Sequence, residues 1–332
     1  MHDSFALLVI VIALATIFDF INGFHDTANA IATSISTRVL SPKIAVAMAA
    51  VLNIAGAFAG TAVAKMVGSG LVDAHSVTQL TVISALLSAI IWDLITWYFG
   101  LPTSSSHAIL ASIVGAAVAT ANGTGVIIQN GVYKILIGLF ASPVVGIILG
   151  YLLMQLLVII FRRFPPATVS RIFNRSQMAS AAYMAFSHGN NDAQKTMGII
   201  TMALVSAHIL PDFNVPIWVI VLCASAMGLG TALGGWRIIK TLGVKLVNLR
   251  PIHGFAAEAS AATIIEVASR FGLPLSTTHV ISSTIMGVGA SKRLSAVRWG
   301  VGGNIVIAWV ITLPACAVLA WLICKTVHFL IL

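Results

Sequence analysis

Ten apolar segments, most of them about as long as a membrane-spanning helix, follow one another along this chain. A helix needs about 20 apolar residues to cross the hydrocarbon core of a bilayer. Charged residues make up only 8% of the chain, whereas a soluble domain carries about 25%. This composition excludes a soluble enzyme, a disordered regulator and a nucleic-acid-binding protein, and it predicts an all-α polytopic membrane protein. The segments lie at 4–37, 44–65, 78–99, 103–120, 131–161, 178–210, 214–236, 252–271, 275–290 and 299–323.

The positive charges between these segments predict the orientation of the chain in the bilayer. Most of the 18 Lys and Arg residues fall in every second loop, and cytoplasmic loops are enriched in these residue types. Both termini are therefore expected outside. The loop cations are Arg38, Lys43, Arg162, Arg163, Arg171, Arg175, Arg237, Lys240, Lys245, Arg250, Lys292, Arg293 and Arg298.

Neither a cofactor nor a metal site is predicted. Cys223, Cys316 and Cys324 lie in apolar runs without the spacing of metal ligands, and scattered thiols of this kind do not form a disulfide framework. They are interpreted as packing residues.

The chain contains two copies of one pattern. Residues 100–107 (GLPTSSSH) recur as residues 272–279 (GLPLSTTH), and residues 22–29 (NGFHDTAN) recur in weaker form as residues 188–195 (HGNNDAQK). Each copy holds five predicted crossings, so the second copy enters the membrane upside down, as in the inverted repeats of secondary transporters. The predicted units are 1–161 (first repeat), 162–177 (basic cytoplasmic linker) and 178–332 (second repeat).

A polar motif is expected to interrupt the first helix of each copy, at 22–29 and 188–196. A carboxylate at the bilayer centre costs about 2.5–3.5 kcal/mol on insertion scales, so Asp26 and Asp192 are predicted to be functional. Broken helices bind cations through exposed carbonyls and side-chain oxygens. The alternative is that each carboxylate only bonds free backbone N–H groups at the break. Neutral ligands beside the carboxylates are Asn22, Asn29, Asn190, Asn191 and Gln194.

Hydroxyl residues follow a proline in the second motif of each copy. Proline fits the first turn of a helix, so these hydroxyls are expected beside the free backbone N–H groups of a helix N-terminus. Such a terminus binds oxyanions, and two of them approaching from opposite sides would grip one tetrahedral anion. Alternatively, the hydroxyls only cap helices or bond neighbouring helices. The residues are Ser104, Ser105, Ser106, Ser276, Thr277 and Thr278.

Three kinds of titratable residue lie near these motifs. Lys195 is an intramembrane cation, and its expected partner is Asp192 or a bound anion. Glu258 is placed mid-span and is a candidate coupling residue, because a buried carboxylate carries the same insertion cost as the aspartates. His107 and His279 directly follow the hydroxyls and are interpreted as hydrogen-bonded packing residues.

At these residues the chain resembles the Pit-type inorganic phosphate transporter family, over essentially its whole length. That family carries a G-x-N-D-x-x-N-type signature in each half and a P-x-S-[ST]-[ST]-H element downstream of each. Residues 23–29 match the first signature with His25 in place of the first Asn. Residues 189–195 match the second with Lys195 where the other branch of the family has Asn. Both downstream elements are present.

The resemblance implies a symporter, not an enzyme, that imports inorganic phosphate with a cation through the bacterial inner membrane. Family members use sodium or protons. Lys195 cannot coordinate sodium, whereas His25 can carry a proton near physiological pH. The pattern is similar to the bacterial branch, which couples to protons and for which phosphate in a neutral complex with a divalent metal is one form of the substrate. The cation-coupling candidates are Asp26, Asp192, Glu258 and His25. The substrate-binding candidates are Asp26, Asn29, Ser104, Ser105, Ser106, Asn191, Asp192, Gln194, Lys195, Ser276, Thr277 and Thr278.

Several alternatives stay open at this stage. Some relatives in that family carry sulfate, so a sulfate or related oxyanion permease is the first, and a sodium-coupled phosphate symporter is the second. A passive anion channel would not accumulate substrate uphill. An intramembrane hydrolase is disfavoured, because Ser-Ser-His or its counterpart occurs twice, whereas nucleophilic catalysis needs one unique constellation. A homodimer and a separate cytoplasmic regulatory protein are partners that the sequence leaves open.

Overall fold

The computed structural model of the protein describes residues 2–72 and 77–331, with the side chains of 5–72 and 77–330. Within these residues the backbone is helical apart from short connections and two isolated β-bridges. The helices are α1 (His2–Ser36), α2 (Pro42–Ala57), α3 (Ala62–Ser69), α4 (Gln79–Phe99), α5 (Ser105–Ala121), α6 (Gln129–Phe161), α7 (Pro166–Ser206), α8 (Ile217–Leu233), α9 (Trp236–Lys240), α10 (Pro251–Arg270), α11 (Thr277–Lys292) and α12 (Trp299–Ile331). A π-helical segment (Thr241–Leu246) continues α9, and a 3₁₀ turn (Leu294–Ala296) precedes α12.

Each of the ten predicted segments contains a described helix. By length and composition, four described helices are suited to crossing a membrane, and two bent pairs of helices raise that number to six. The bent pairs are α2 with α3, at 72°, and α8 with α9 and its π-helical continuation, at 59°. The others fall short because α5 and α11 have only 17 and 16 residues and because α7 and α10 carry polar residues inside their spans. The number of crossings therefore stays a prediction.

The interruptions predicted at 22–29 and 188–196 are wrong, because α1 and α7 are helical through both motifs. Neither motif contains a proline, and the modest helix propensity of Asn, Asp and Gly is overridden by tertiary contacts. Gly23 permits such a contact, since a Cβ there would lie 2.4 Å from the Met227 carbonyl oxygen. Helix α7 also includes residues 166–177, so most of the predicted linker is its first turns.

The two polar motifs lie at the boundary between two apolar cores. Along α1, residues up to Ile21 pack in one core and residues from Ala28 onward pack in the other. Along α7 the order is reversed: residues up to Ala185 belong to the second core and residues from Ala193 onward to the first. The two long helices thus cross the same boundary in opposite senses, and each places its polar motif there.

Each of the two long helices packs against helices of both halves. Helix α1 packs against α4 and α8, and α7 packs against α10 and α2. Helix α5 packs against α12 of the second half, and α11 packs against α6 of the first. The N-termini of α5 and α11 are thereby held by helices from both halves.

Glycine ends the helix before each hydroxyl motif. Gly100 and Gly272 have φ angles of 65° and 68°, in the left-handed region that glycine adopts without steric cost. A left-handed glycine followed within two residues by proline is a common way to end a helix. In both copies this turn reverses the chain, after α4 in the first and after α10 in the second. The N-termini of α5 and α11 therefore point towards the interior.

The close contact at Gly189 gives a test of this packing. A Cβ at Gly189 would lie 2.2 Å from the Asn53 carbonyl oxygen, whereas nothing lies within 4 Å of one at Gly303, in α12. Overpacking of this kind typically costs about 1–3 kcal/mol. We expect Gly189→Ala to lower the thermal unfolding temperature of the purified protein in detergent. Gly303→Ala should leave it unchanged or raise it slightly, because alanine has the higher helix propensity. Equal effects of the two substitutions would show that α2 and α7 do not pack this closely.

Candidate functional site

The N-termini of α5 and α11 have the same local structure. Ser104 and Ser276 are the N-cap residues, and each hydroxyl accepts the backbone N–H three residues on, at 3.1 Å. This is the capping bond that serine commonly makes. The contact observed for Ser104 and Ser276 is therefore helix capping, the alternative to anion binding that the sequence left open. Of the hydroxyl residues that follow the caps, Ser105, Thr277 and Thr278 donate to a carboxylate, and Ser106 accepts from the Lys195 ammonium.

Asp26 accepts hydrogen bonds from the hydroxyls of both halves. Ser105 donates to Asp26 Oδ2 at 2.6 Å, and Thr278 donates to Asp26 Oδ1 at 3.2 Å. His25 Nδ1 lies 2.9 Å from Oδ1, and His25 Nε2 lies 3.1 Å from the Thr96 hydroxyl. One carboxylate therefore joins α1 to the N-termini of α5 and α11.

Asp192 has the equivalent position in α7. Thr277 donates to its Oδ2 at 3.0 Å, and His188 Nε2 lies 3.2 Å from the same oxygen. The ammonium of Lys195 pairs with Oδ1. Since His188 and Lys195 lie one helical turn to either side of Asp192 on one helix face, the helix itself supplies both neighbours.

Lys195 connects the two hydroxyl termini. Its ammonium donates to the Ser106 hydroxyl of α5 and, at 3.2 Å, to the carbonyl of Leu275 just before α11. With Asp192 this makes a shell of three oxygens around one buried cation. Lysine is almost never fully buried unless it is paired, and the pairing here places its charge at the meeting point of the halves.

The two carboxylates lie close to each other. Ligand atoms of Asp26, His188 and Asp192 are within 4.8 Å of one another, an arrangement that could hold a metal ion. Asn29 ties the same region together, donating to the Thr277 and Thr278 hydroxyls at 3.2 and 2.8 Å. Asn22 also belongs here, because its side-chain oxygen lies 2.7 Å from the Ser105 hydroxyl. The structure therefore brings together one central cluster, which we define as Asn22, His25, Asp26, Asn29, Ser105, Ser106, His188, Asp192, Lys195, Thr277 and Thr278.

The predicted ligands Asn191 and Gln194 point away from this central cluster. Asn191 donates to Ser269 at 2.8 Å. Gln194 accepts the backbone N–H groups of Val63 and Ala64, at 2.8 and 3.3 Å, and so caps the first turn of α3. Their amides are engaged in joining α7 to neighbouring helices.

Glu258 lies in a separate buried cluster. Its carboxylate accepts hydrogen bonds from Thr33, Gln177 and Ser180. Thr33 follows Asp26 by two turns of α1, a rise of about 10 Å. Glu258 is thus buried and hydrogen-bonded, as a coupling residue is expected to be. Its hydrogen-bond partners all lie outside the central cluster.

His107 and His279 meet each other across the two halves. Their ring centroids are 4.8 Å apart, and His279 stacks on Trp309 at 4.0 Å. The packing part of the interpretation agrees with these contacts. The expected hydrogen bonds are not found, because Nδ1 of His107 and both ring nitrogens of His279 have no hydrogen-bond partner among the described residues.

Sequence reasoning assigned no role to two residues near the carboxylates. His188 could have been found from its spacing, since it lies four residues before Asp192 on a helix. Asp19 lies seven residues before Asp26, on the same face of α1, and is fully buried. Neither of its carboxylate oxygens has a hydrogen-bond partner among the described residues. The sequence signal for Asp19 is the cost of a charge inside an apolar run.

The central cluster can bind ions of both signs. Its residues Asp26, Asn29, Ser105, Asp192 and Thr277 are each at most 2% exposed, so electrostatic interactions within it are strong. Hydroxyl groups and an ammonium can donate to an oxyanion, and the carboxylates can hold a cation or a proton. Charges of both signs on two helices that meet at a boundary between cores are typical of a transport site.

The fold and this cluster define a multi-pass membrane transporter, and comparison with known proteins gives its family. Residues 22–168 and 161–320 match the model of the phosphate transporter family. The chain belongs to that family, which confirms the resemblance found in its motifs; its relatives are transporters, so it is not an enzyme.

Two relatives and one solved structure illustrate the similarity. A probable low-affinity inorganic phosphate transporter of Bacillus subtilis is 49% identical over 316 residues, covering 94% of each chain. One of Rhizobium meliloti is 47% identical over 319 residues, covering 96% of this chain and 95% of the relative. A solved structure described as the sodium-dependent phosphate transporter has a TM-score of 0.91 at 25% identity and covers 98% of this chain and 100% of its own.

The Lys195–Asp192 pair gives a testable prediction. Removing one partner of a buried ion pair typically costs about 3–5 kcal/mol, because the other charge is left uncompensated. We expect Lys195→Met to lower the free energy of unfolding strongly, measured by denaturation of the protein in detergent solution. The double variant Asp192→Asn, Lys195→Met should regain much of the lost stability. Lys65→Met, at an exposed position, is the matched control. Additive losses in the double variant would contradict a direct pairing.

Proposed function

We propose that this protein is a secondary symporter that imports inorganic phosphate by alternating access. The observation that carries the proposal is the convergence of four hydroxyl residues, two from each half, on Asp26, Asp192 and Lys195. A tetrahedral anion has enough acceptor oxygens to take hydrogen bonds from both termini at once. Phosphate at neutral pH also carries a proton that a carboxylate can accept, which sulfate lacks.

Alternating access is supported by the closed state of the central cluster. Its side chains are buried and bonded to one another, so an ion reaches them only after helices move apart on one side. The opposite senses in which α1 and α7 cross the core boundary support an inverted repeat with units 1–161 and 178–332. Movement of one repeat against the other would open each side in turn.

A coupling proton is supported by the surroundings of Lys195. A carboxylate, a hydroxyl and a backbone carbonyl are the oxygen ligands that a hard cation takes, and here the ammonium occupies them. An ammonium repels sodium at short range, more strongly in a low-dielectric site than in water. Protons would then pass through Asp26 with His25, and through Glu258 in its separate cluster.

Two observations favour a second candidate, in which a metal cation travels with phosphate. The solved relative is described as sodium-dependent, and Asp26, His188 and Asp192 could hold a cation beside the hydroxyls. In this second candidate the cation is sodium, or a divalent ion carried as a neutral metal–phosphate complex. Both are cargo, since no resident metal is proposed.

The proposed location is the cytoplasmic membrane of a bacterium, with both termini outside. The relatives described above are bacterial, and the loops rich in Lys and Arg support this orientation. A second copy of the chain and a separate cytoplasmic regulatory protein remain proposed partners.

Uptake into proteoliposomes tests the proposed coupling ion. We expect phosphate accumulation to follow an imposed inward proton gradient and to be unchanged when sodium is replaced by potassium or choline. Asp26→Asn, which keeps shape but removes charge, should abolish gradient-driven accumulation. Strict sodium dependence at fixed pH would refute proton coupling, and a strict requirement for Mg²⁺ would favour the metal–phosphate form. Sulfate uptake that excess phosphate leaves unaffected would overturn the choice of substrate.

The hydroxyl residues give a sharper test of the substrate site. Removing a hydrogen bond to a charged group costs about 1–3 kcal/mol, so Ser105→Ala and Thr277→Ala should each weaken phosphate binding by that amount. Ser282→Ala is the matched control, because its buried hydroxyl on α11 has no hydrogen-bond partner among the described residues. Phosphate binding is measured by isothermal titration calorimetry in detergent. If all three variants bind phosphate as the wild type does, these hydroxyls serve only the protein's own structure.

A further inference from the structure

A second charged site lies at the far end of α11. A cavity of about 240 Å³ opens there, lined by residues from the start of α10, the end of α11 and the segment before α12. One water molecule needs only roughly 10–15 Å³ of such space, so the cavity has room for a larger polar group. Five of its lining residues are basic or can become so: Arg250, His253, Lys292, Arg293 and Arg298.

No carboxylate balances these charges in the described part of the chain. The ion pairs there are formed by His25, His188, Lys195 and Arg270, and none involves a residue of this cavity. Repulsion among cations held around one cavity is relieved when an anion binds among them.

The helix ends do not account for all of this charge. Lys292 is the last residue of α11 and Arg293 follows it, and at this end the helix dipole favours cations without any ligand. Arg250 is the N-cap of α10 and His253 lies in its first turn, where the dipole disfavours cations and favours an anion. Arg250 therefore stands against the local electrostatics of α10, and the neutral His253 beside it offers a donor, so both suit a ligand of negative charge.

The cavity has a defined framework. Val247 and Val297 form a β-bridge beside it, and the Arg298 guanidinium donates to the carbonyls of Val244 and Lys245 at 3.1 Å. The Arg250 backbone N–H donates to His253 Nδ1 at 3.1 Å, so neutral His253 carries its proton on Nε2, as a donor. Arg298 and His253 are thus held in place by backbone contacts.

We propose that this cavity binds a phosphate-bearing anion, at a site distinct from the central cluster. The ligand is either free inorganic phosphate or the headgroup of an anionic phospholipid, since both present the same oxygens to guanidinium and ammonium groups. The 16 residues of α11 separate the two sites by about 24 Å along one helix. An anion at this cavity would therefore stabilise the helix that carries Thr277 and Thr278 at its other end.

The test compares two double variants of the full-length protein. Lys292→Gln with Arg293→Gln removes two charges from the cavity, and Arg162→Gln with Arg163→Gln removes two exposed charges that lie outside it. Arg298 is left intact because it supports the backbone. Arg250→Gln provides an independent single variant should the first double variant unfold earlier than the wild type.

Two arms distinguish the sources of the ligand. In nanodiscs of pure phosphatidylcholine, equilibrium dialysis with radiolabelled inorganic phosphate counts bound ions. In nanodiscs that also contain phosphatidylglycerol, native mass spectrometry counts retained anionic lipids. Selective loss of one bound phosphate in the cavity variants identifies free phosphate, and selective loss of retained phosphatidylglycerol identifies the headgroup.

Equal binding in all variants, or equal losses in both double variants, would overturn the proposal. The outcome is independent of the proposed transport mechanism. Ser105→Ala is expected to weaken phosphate binding at the central cluster only. Failure of the cavity proposal is therefore distinguishable from failure of the proposed transport site.

Discussion

The structure depends on one constraint: the two carboxylates of the central cluster lie in an apolar interior, where a charge is costly unless it has partners. Asp26 and Asp192 face each other across the boundary between the two cores, and like charges at that distance repel strongly in a medium of low dielectric constant. Hydroxyls from α5 and α11 and the Lys195 ammonium make this arrangement tolerable. The same contacts fix where four helices meet, so the charges that would bind substrate also position the helices around it.

Much of the fold and part of the candidate site could be predicted from the sequence. Helix positions could be predicted because the length of a membrane span and the hydropathy of the chain are local properties. The repeated Gly-Leu-Pro turns placed α5 and α11, and the carboxylates were found from the cost of burying them. Lys195 was expected beside Asp192, and the ammonium lies there.

The features that the sequence did not predict depend on contacts between residues far apart in the chain. Helices α1 and α7 stay unbroken because Gly23 and Gly189 allow other backbones to approach, which no local pattern reveals. Gln194 is predicted as a substrate ligand from its place in the motif, and its side chain bonds backbone groups more than a hundred residues away. The Glu258 cluster likewise draws its donors from α1 and α7. Contacts of such long range cannot be predicted from a single sequence.

The cap that Gln194 places on α3 has a mechanical consequence. Helix α3 follows α2 in the chain, yet a 72° bend separates them, and the Gln194 amide fastens the first turn of α3 to α7. Ala62, the first residue of α3, lies against the Gly272 turn before α11: a Cβ on Gly272 would come within 3.0 Å of the Ala62 carbonyl oxygen. Helix α3 is therefore fastened to α7 and lies against this turn, so beyond the bend at residues 58–61 the first half of the chain is anchored to the second.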